Sequence, residues 1–367
     1  MKQSGKLYPL MLSRVFVEKI WGSKSIGWAL GREDENLPSI GELWETFDGE
    51  NGSVVINGAY RTRSLSDLSN DLGEQLLGTR LSRYTDRSFP LLIKYLFPTQ
   101  TLSVQVHPGD EYALVHENSY GKEEMWVVLS SDPESFIVVG WKEPMSKETI
   151  VDRIANNRLD GLMNVIRPKV DDVYYIPAGT IHALGPGTAV LEIQQNSNVT
   201  YRIHDWDRTD QSGKLRELHT AKAIEVLNFS YCPQYRITPL TVESGENEFK
   251  HLCACNHFAA VMWILKQPLE FASDQAAFWV LNVISGQGAI SSPDMDPLPL
   301  NQGTTVLIPA KMGAFVIEPS GPLRIVKSWV PDLRKDIIMP LRSAGFSDDE
   351  IAGLAGFGQK NHLRDLF

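Results

Sequence analysis

The sequence predicts a mainly β protein built from two barrels of short antiparallel strands with a few helices between them. Short apolar or alternating runs bounded by Gly, Pro, Asn and Asp fill the middle and the second half of the chain. This pattern is typical of an antiparallel barrel or sandwich. Two segments, Asp171–His182 and Gly303–Gly313, also resemble each other, because each is a strand that closes on Ile-Pro-Ala. The repeat predicts a duplicated barrel in which only the first copy carries a histidine.

Each predicted element follows from its residue pattern. The predicted strands combine apolar or alternating residues with turn residues at their ends, and they are Thr101–His107, Met125–Leu129, Ser135–Val139, Asp172–Ile176, Ala189–Ile193, Phe278–Ile284, Thr304–Ile308 and Leu323–Val330. The predicted helices have apolar residues at helical spacing, and they are Ser64–Leu77, Ser146–Ile166 and Leu218–Phe229. Ser347 to Glu350 form a capping box that opens one more short helix.

The chain of 367 residues is long enough for two or three domains that each bury a core. A turn-rich stretch, Cys232–Glu248, is the predicted boundary. We expect a first barrel with helical insertions over residues 1–240, a second barrel over 241–330 and a C-terminal tail over 331–367. The tail helix is expected to dock on the core, with binding of a partner as the alternative.

The charge balance restricts the class of partner. The chain has 35 Lys and Arg against 45 Asp and Glu, a net charge of −10. A negative surface repels polyanions, so we expect no nucleic-acid partner and no membrane association. The longest apolar run, Phe258–Leu265, is also too short to span a bilayer.

The three cysteines do not form a disulfide framework. Cys253 and Cys255 have no second pair to complete a zinc site, so we expect them to be buried small hydrophobic residues. This cysteine usage predicts a cytoplasmic protein.

The segment Thr101–Pro108 carries the clearest pattern for a site. With strand period two, Leu102, Val104 and Val106 face one side, and Ser103, Gln105 and His107 face the other. An apolar outer face with Ser, Gln and His inside indicates a barrel interior that is polar, whereas small barrels are otherwise filled by apolar side chains.

Two further segments supply metal-binding residue types. In Gly121–Trp126, Lys122, Glu124 and Trp126 share a face, although alternation does not determine which face points inward. The turn Ile176–His182 presents an imidazole at the head of a strand. Two imidazoles, a carboxylate and an amide oxygen form a set that suits zinc or another borderline divalent metal.

A fourth segment runs from Val190 to Arg208. Glu192 lies between apolar Leu191 and Ile193 and so faces away from them, and Arg202 and His204 are expected to share a face. An inward arginine can bind a phosphate or stabilise charge on a sugar oxygen. Each residue alone also fits a structural role, such as a hydrogen-bonded histidine or a surface salt bridge.

Together these segments resemble the type I mannose-6-phosphate isomerases (phosphomannose isomerases), zinc-dependent members of the cupin superfamily, in their shorter bacterial form. The similar stretches cover about residues 15 to 210 in the same order, with a weaker similarity to about 330, and they are Lys19–Gly22, Ile40–Glu45, Phe89–Lys94, Leu102–Pro108, Gly121–Trp126, Tyr175–Leu184 and Leu191–Arg208. The resemblance implies two cupin-type (jelly-roll) barrels, a bicupin architecture. It also implies that Lys122, Glu124 and Trp126 point inward.

The resemblance implies a role for each matching residue. One zinc ion per chain would be held by Gln105, His107, Glu124 and His182. Arg202, Glu192 and Lys122 would be catalytic, and the substrate-binding residues would be Lys94, Ser103, Lys122 and Arg202. The second barrel, with Lys311 where the first has Gly179 and no equivalent of His182, would be metal-free.

This chain departs from the family pattern at three points. Asp171-Asp172 stand where relatives usually have Gly-Asp, His204 stands where they have Tyr, and the tail after about residue 330 is longer than expected. His204 beside Arg202 is therefore a local candidate for proton transfer.

The implied reaction is the reversible isomerisation of mannose 6-phosphate and fructose 6-phosphate through an enediol(ate), with a hexose 6-phosphate as the small-molecule partner. The alternatives are a cupin metal oxygenase and a sugar-phosphate sensor that binds without turnover. Gln105 stands where such oxygenases generally have their first histidine. The oligomeric state, monomer or homodimer, is left open.

Overall fold

The computed structural model of the chain describes residues 6–30, 38–83, 88–159, 161–209, 213–293, 295–358 and 361–367. In this part of the chain the strands are, in order, β1 Leu10–Met11, β2 Val15–Ser23, β3 Ile40–Thr46, β4 Leu91–Leu96, β5 Val104–Val106, β6 Glu124–Ser131, β7 Ile137–Trp141, β8 Met163–Ile166, β9 Val173–Ile176, β10 His182–Leu184, β11 Thr188–Gln195, β12 Tyr201–His204, β13 Arg236–Ile237, β14 Leu240–Ser244, β15 Asn247–Ala254, β16 Ala259–Leu265, β17 Leu269–Ala272, β18 Trp279–Ser285, β19 Gln287–Ser292, β20 Met295–Asn301, β21 Thr305–Ile308, β22 Ala314–Pro319 and β23 Leu323–Trp329.

These strands form four antiparallel sheets, two for each barrel. The first barrel contains a sheet of order β12-β5-β10-β7-β8 and a sheet of order β13-β9-β6-β11-β4-β3-β2. The second barrel contains a sheet of order β1-β21-β18-β23-β16-β15-β14 and a sheet of order β17-β22-β19-β20. The mainly β class with two barrels is therefore confirmed.

One strand departs from the expected order along the chain. β1, at the start of the described residues, pairs with β21 of the second barrel, with Leu10 opposite Leu307 and Met11 opposite Val306. The boundaries at 240 and 330 stay predictions, and this pairing takes residues 10–11 out of the first barrel's sheets.

The helices are short and lie between strands. Their bounds are α1 Leu65–Leu72, α2 Glu74–Leu77, α3 Asp110–His116, α4 Lys147–Ala155, α5 Thr220–Val226, α6 Met339–Ser343 and α7 Asp348–Gly353; a π-helical turn, Leu333–Ile338, leads into α6, and 3-10 turns cover Gly27–Leu30, Thr79–Arg83 and Arg364–Leu366. Ser64, Ser146 and Ser347 cap α1, α4 and α7, and Ser347 forms the predicted capping box with Glu350.

Two predicted helices differ in the structure. The helix predicted over Ser64–Leu77 is interrupted at Gly73, which has a φ of 50° and lies between α1 and α2. The helix predicted over Ser146–Ile166 ends at Ala155, and its last residues form strand β8 instead. β8 pairs with β7 at the edge of the sheet, so a tertiary contact decides the conformation of this segment.

The tail packs on the core of the protein. Ile351, Leu354 and Leu363 are fully buried in a hydrophobic cluster that both barrels share. The amide of Ala254 also donates a hydrogen bond to the carbonyl of Leu354 at 3.0 Å. The expected docking of the tail helix is therefore present.

The three cysteines are free thiols, and Cys253 and Cys255 are buried in the shared core. Among the helices of the described residues, none has the length and apolar character needed to cross a membrane.

Candidate active site

Three of the predicted metal ligands meet inside the first barrel. Gln105 lies on β5, His107 follows that strand, Glu124 opens β6 and His182 opens β10. The Nε2 of His107 lies 3.5 Å from Glu124 Oε2, and the Nε2 of His182 lies 3.3 Å from Glu124 Oε1. His107, Glu124 and His182 are almost completely buried, and their ligand atoms lie within 4.8 Å of one another.

Backbone carbonyls fix the orientation of both imidazoles. His107 Nδ1 lies 2.8 Å from the carbonyl oxygen of Val199, and His182 Nδ1 lies 2.8 Å from that of Thr180. A carbonyl oxygen can only accept, so each Nδ1 carries the proton and each Nε2 presents a lone pair. This arrangement is typical of histidines that bind a metal.

Burial keeps both rings neutral. Burial and the nearby Lys122 ammonium lower the pKa of His107 well below its ordinary value. Burial is also the main cause that lowers the pKa of His182 to about 4. Neutral imidazole is the form that coordinates a metal.

The site fits a divalent cation because its acceptors are incompletely satisfied. Glu124 Oε1 is buried and has no hydrogen-bond partner, and it lies among two imidazole lone pairs. The Nε2 of Gln105 lies 3.1 Å from His182 Nε2 and 3.5 Å from His107 Nε2. A half-turn of that amide would present its oxygen to the same point, which completes a four-ligand N/O set.

Lys122 lies directly against this set. Its Nζ is 2.6 Å from Glu124 Oε2, 2.9 Å from His107 Nε2 and 3.6 Å from Glu192 Oε1. Lys122, Glu124 and Trp126 therefore do point inward. On the opposite face of the strand, Met125 packs into the shared core.

Glu192 is the centre of a second buried charge cluster. Its Oε1 lies 3.0 Å from Lys94 Nζ, and its Oε2 accepts a hydrogen bond from Trp126 Nε1 at 3.1 Å. Burial, followed by the Glu124 charge, raises the pKa of Glu192, although Lys94 and Lys122 act in the opposite direction. Burial alone would lower the pKa of Lys94, but its neighbouring carboxylates outweigh it and raise that pKa.

Several of these groups line one pocket of about 360 Å³, whereas the buried His107, Glu124 and His182 are not among its lining residues. Of the predicted site residues, those that line it are Lys94, Ser103, Gln105, Lys122, Glu192 and Arg202. Among the described residues, five cationic side chains face the pocket, because Lys19 and Arg216 join Lys94, Lys122 and Arg202, against the carboxylates of Glu42 and Glu192. The pocket is therefore suited to an anion although the chain is acidic.

Arg202 approaches the pocket from β12, where it lies opposite Gln105. Its Nη1 donates to the carbonyl of Glu217 at 2.7 Å. Its buried Nε has no hydrogen-bond partner, since the nearest carboxylate oxygen, on Asp205, is 3.9 Å away. Burial and the neighbouring Arg216 lower the pKa of Arg202 from its ordinary value. An anionic group of a ligand would satisfy this donor.

His204 does not share the face of Arg202, contrary to the prediction. The pairing of β12 with β5 shifts between these residues, so Arg202 lies opposite Gln105 whereas His204 lies opposite Val104. The bulge turns the imidazole away from the pocket. Its Nδ1 lies 2.8 Å from Asn157 Oδ1 instead.

Leu102 also differs from the predicted alternation. Strand β5 begins only at Val104, so period two does not extend back to Leu102. Leu102 and Ser103 both line the pocket, whereas Val104 and Val106 pack into a separate apolar cluster.

Three charged residues of the pocket were not predicted from the sequence. Lys19 lies 3.2 Å from Glu42, which also contacts Lys94 at 3.6 Å. Lys19 and Glu42 belong to the segments Lys19–Gly22 and Ile40–Glu45, so a signal for them was present. Arg216 lies outside all of the motifs, so no signal in the sequence pointed to it.

Two family models match parts of this chain. The family model "Phosphomannose isomerase type I, catalytic domain" matches residues 10–130. The family model "Mannose-6-phosphate isomerase, cupin domain" matches residues 247–330. The chain is 38% identical over 317 residues to mannose-6-phosphate isomerase ManA of Bacillus subtilis, which covers 84% of this chain and 96% of the relative. It is 34% identical over 323 residues to mannose-6-phosphate isomerase of Streptococcus mutans, covering 87% and 98%.

Solved structures give the same result for the fold. The crystal structure of mannose 6-phosphate isomerase from Bacillus subtilis matches with a TM-score of 0.79 and 33% identity, covering 87% of this chain and 99% of the other. The crystal structure of a mutant phosphomannose isomerase from Salmonella typhimurium has a TM-score of 0.73 at 16% identity, covering 88% and 99%. The second match shows the fold alone.

Proposed function

The chain belongs to the type I mannose-6-phosphate isomerase (phosphomannose isomerase) family, a family of isomerases, and from this premise we propose that it interconverts mannose 6-phosphate and fructose 6-phosphate. The proposed reaction moves a proton between C1 and C2 through an enediol(ate). One observation carries the proposal: buried His107, Glu124 and His182 converge next to Gln105 and Lys122, and these two residues line a pocket whose charged groups are mostly cations.

We propose zinc as the metal, with Gln105, His107, Glu124 and His182 as its ligands. The neutral imidazoles and the unpartnered Glu124 Oε1 support this set. When bound, zinc would supply positive charge that stabilises an oxyanion next to C1 or C2.

The cations of the pocket would bind and orient the substrate. Arg202 lines a pocket suited to an anion, and its Nε lacks a hydrogen-bond partner, so it would bind the phosphate or stabilise charge on a sugar oxygen. Lys94 and Ser103 would line the sugar-binding part of the same pocket.

Glu192 and Lys122 would carry the proton, because their atoms lie 3.6 Å apart at the pocket wall. A raised pKa makes the Glu192 carboxylate a better proton acceptor. Lys122 would donate to the developing oxyanion from its position against the ligand set. His204 has no part in this scheme, because it does not line the pocket.

We also propose that residues 1–240 form the catalytic domain, that 241–330 form a metal-free second barrel and that 331–367 form a tail. The three free thiols are consistent with a cytoplasmic enzyme.

The decisive experiment measures bound metal and turnover on the same purified protein. We expect one zinc per chain and production of fructose 6-phosphate from mannose 6-phosphate in a coupled assay. Stoichiometric zinc without turnover would indicate the sensor. Bound iron with oxygen consumption would indicate the oxygenase, which the family match does not favour.

A pair of arginine variants tests the assignment of the cationic pocket. Arg202→Ala should keep the metal and lose about 10²-fold in kcat/KM, the usual scale for a charged group at a developing charge. Arg236→Ala, at an arginine whose side chain is 53% exposed, is the matched control. Full activity of Arg202→Ala would overturn the proposed role.

A further inference from the structure

The second barrel contains a cavity that the proposed isomerase reaction does not use. Its volume is about 440 Å³, compared with about 360 Å³ for the pocket at the candidate metal ligands. Strands β14, β15, β16, β18 and β23 of one sheet supply most of the wall. Lys335, Asp336 and Pro340 of the tail cover one side. This size is in the range of small-molecule sites.

Tryptophan side chains make up the wall of the cavity around one lysine. The Nζ of Lys327 lies 3.8 Å from the ring centre of Trp279, 4.0 Å from that of Trp329 and 5.6 Å from that of Trp263. Trp263 stacks on Phe271 of the opposing sheet at 4.5 Å, with an angle of 10° between the rings. Phe271 therefore holds Trp263 in place, and the three indole rings give the cavity an aromatic lining.

The lysine at the centre lacks a carboxylate partner. The nearby acids are occupied, because Asp336 is paired with Arg80, and Asp274 lies 3.3 Å from Arg80 and 3.7 Å from Lys335. Within the described residues, no carboxylate lies at salt-bridge distance from Lys327. Burial lowers the pKa of Lys327 to about 7, with Asp336 and Asp274 acting in the opposite direction. An anion beside Nζ would relieve this cost of burying the charge.

One buried polar atom in the same wall has no hydrogen-bond partner. His251 lines the cavity, and its buried Nδ1 has no hydrogen-bond partner. Burial, with the Lys327 charge, lowers the pKa of His251 to about 4, so the ring is neutral near pH 7. A neutral imidazole can donate one hydrogen bond to a ligand oxygen without adding charge.

We propose that this cavity is a second ligand site that binds an anionic sugar, with its acidic group at Lys327 and His251 and its ring on the tryptophans. The aromatic surfaces fit the C–H faces of a sugar ring, and the single unpaired cation among the described lining residues fits one phosphate or carboxylate. The tail would contribute to the same site, because Lys335, Asp336 and Pro340 line its side. This site is independent of the metal centre and of the proposed isomerisation.

Protection of Lys327 from acetylation tests the proposal on the unmodified protein. Acetic anhydride is added at pH 7 with mannose 6-phosphate, glucuronate, mannose or inorganic phosphate present, and peptides are quantified by mass spectrometry. We expect mannose 6-phosphate or glucuronate to slow acetylation of Lys327 at least about fivefold, and the more protective of the two identifies the acidic group. Lys266, an exposed lysine of the same barrel, should react at an unchanged rate.

Four results would overturn the proposal. No protection by either acidic sugar excludes it, and equal protection by mannose or by inorganic phosphate excludes recognition of an anionic sugar. Protection that disappears in Arg202→Ala would assign the effect to the first barrel. A Trp279→Leu variant that keeps its melting temperature should lose the protection, and retained protection would contradict the role of the aromatic wall.

Discussion

The Nζ of Lys122 and the Oε2 of Glu124 form a buried ion pair at 2.6 Å. One residue is a proposed proton donor and the other a proposed metal ligand, so a fixed positive charge already lies where a metal cation is expected. The lysine neutralises the ligand carboxylate inside the barrel, where an unpaired charge would be costly. We therefore expect metal binding and the position of Lys122 to be coupled.

Removing this lysine should separate metal binding from turnover. We expect Lys122→Met to retain one zinc per chain and release it more slowly, because a competing cation has gone. Its kcat should fall about 10²-fold, the usual contribution of a positioned proton donor. Metal analysis and the coupled assay measure both effects. Lys142→Met, the same change at an exposed lysine, serves as the control, and loss of zinc in Lys122→Met would contradict the coupling.

Two histidine variants test which imidazole binds metal. His182→Ala should lose zinc and activity together, by about 10³-fold or more in kcat, because several kcal/mol of charge stabilisation depend on the metal. His204→Ala removes an imidazole that lies outside the pocket and contacts Asn157. It should keep both zinc and activity. An inactive, zinc-loaded His204→Ala would restore the acid–base role that the structure argues against.

The stability of the protein should depend on pH through Lys327. Its folded pKa is about 7, below the ordinary 10.5, so the unfolded chain binds more protons between these values. The contribution of Lys327 to the free energy of unfolding therefore rises as the pH increases from about 7 to 10. Relative to Lys327→Met, the wild type should gain at most about 4 kcal/mol in free energy of unfolding over that range. Urea unfolding at both pH values measures the change, and a pH-independent difference would contradict it; Lys266→Met is the control.

The docking of the tail gives a prediction on folding stability. Leu354 is fully buried, so Leu354→Ala should lower the free energy of unfolding by about 2–5 kcal/mol. Met339 is 63% exposed, so Met339→Ala should lower the free energy of unfolding by less than about 0.5 kcal/mol. Chemical denaturation compares the two. Equal effects would show that the tail does not stabilise the core.

The convergence of His107, Glu124 and His182 was predictable because motifs in this sequence resemble those of a known family. His107 follows strand β5, and Glu124 and His182 open strands β6 and β10; the resemblance, and not the alternation, indicated that Glu124 points inward. Glu192 and Lys94 also lie on regular strands, and they are opposite each other in the pairing of β11 with β4. Regular pairing preserves the period of two on which such predictions depend.

The errors occurred where pairing is irregular or where contacts are distant in sequence. One additional residue in β12 places His204 opposite Val104 and reverses its face. The strand Met163–Ile166 was predicted as helix, because local propensity carries no information about its pairing with β7. Arg216 reaches the pocket from a segment with no motif, held by Asp205 at 3.0 Å. Such residues are found only from tertiary structure.

The pairing of Leu10 with Leu307 and of Met11 with Val306 has a consequence for biosynthesis. On the ribosome the first of these segments emerges long before its partner, and domains generally fold from the N-terminus onward. Residues 10–11 can therefore pair with β21 only after about 300 further residues have been synthesised. Until then β21 offers no edge for them, and afterwards they cover an edge that could otherwise pair with another chain. The first strand of the described residues is thus one of the last to pair.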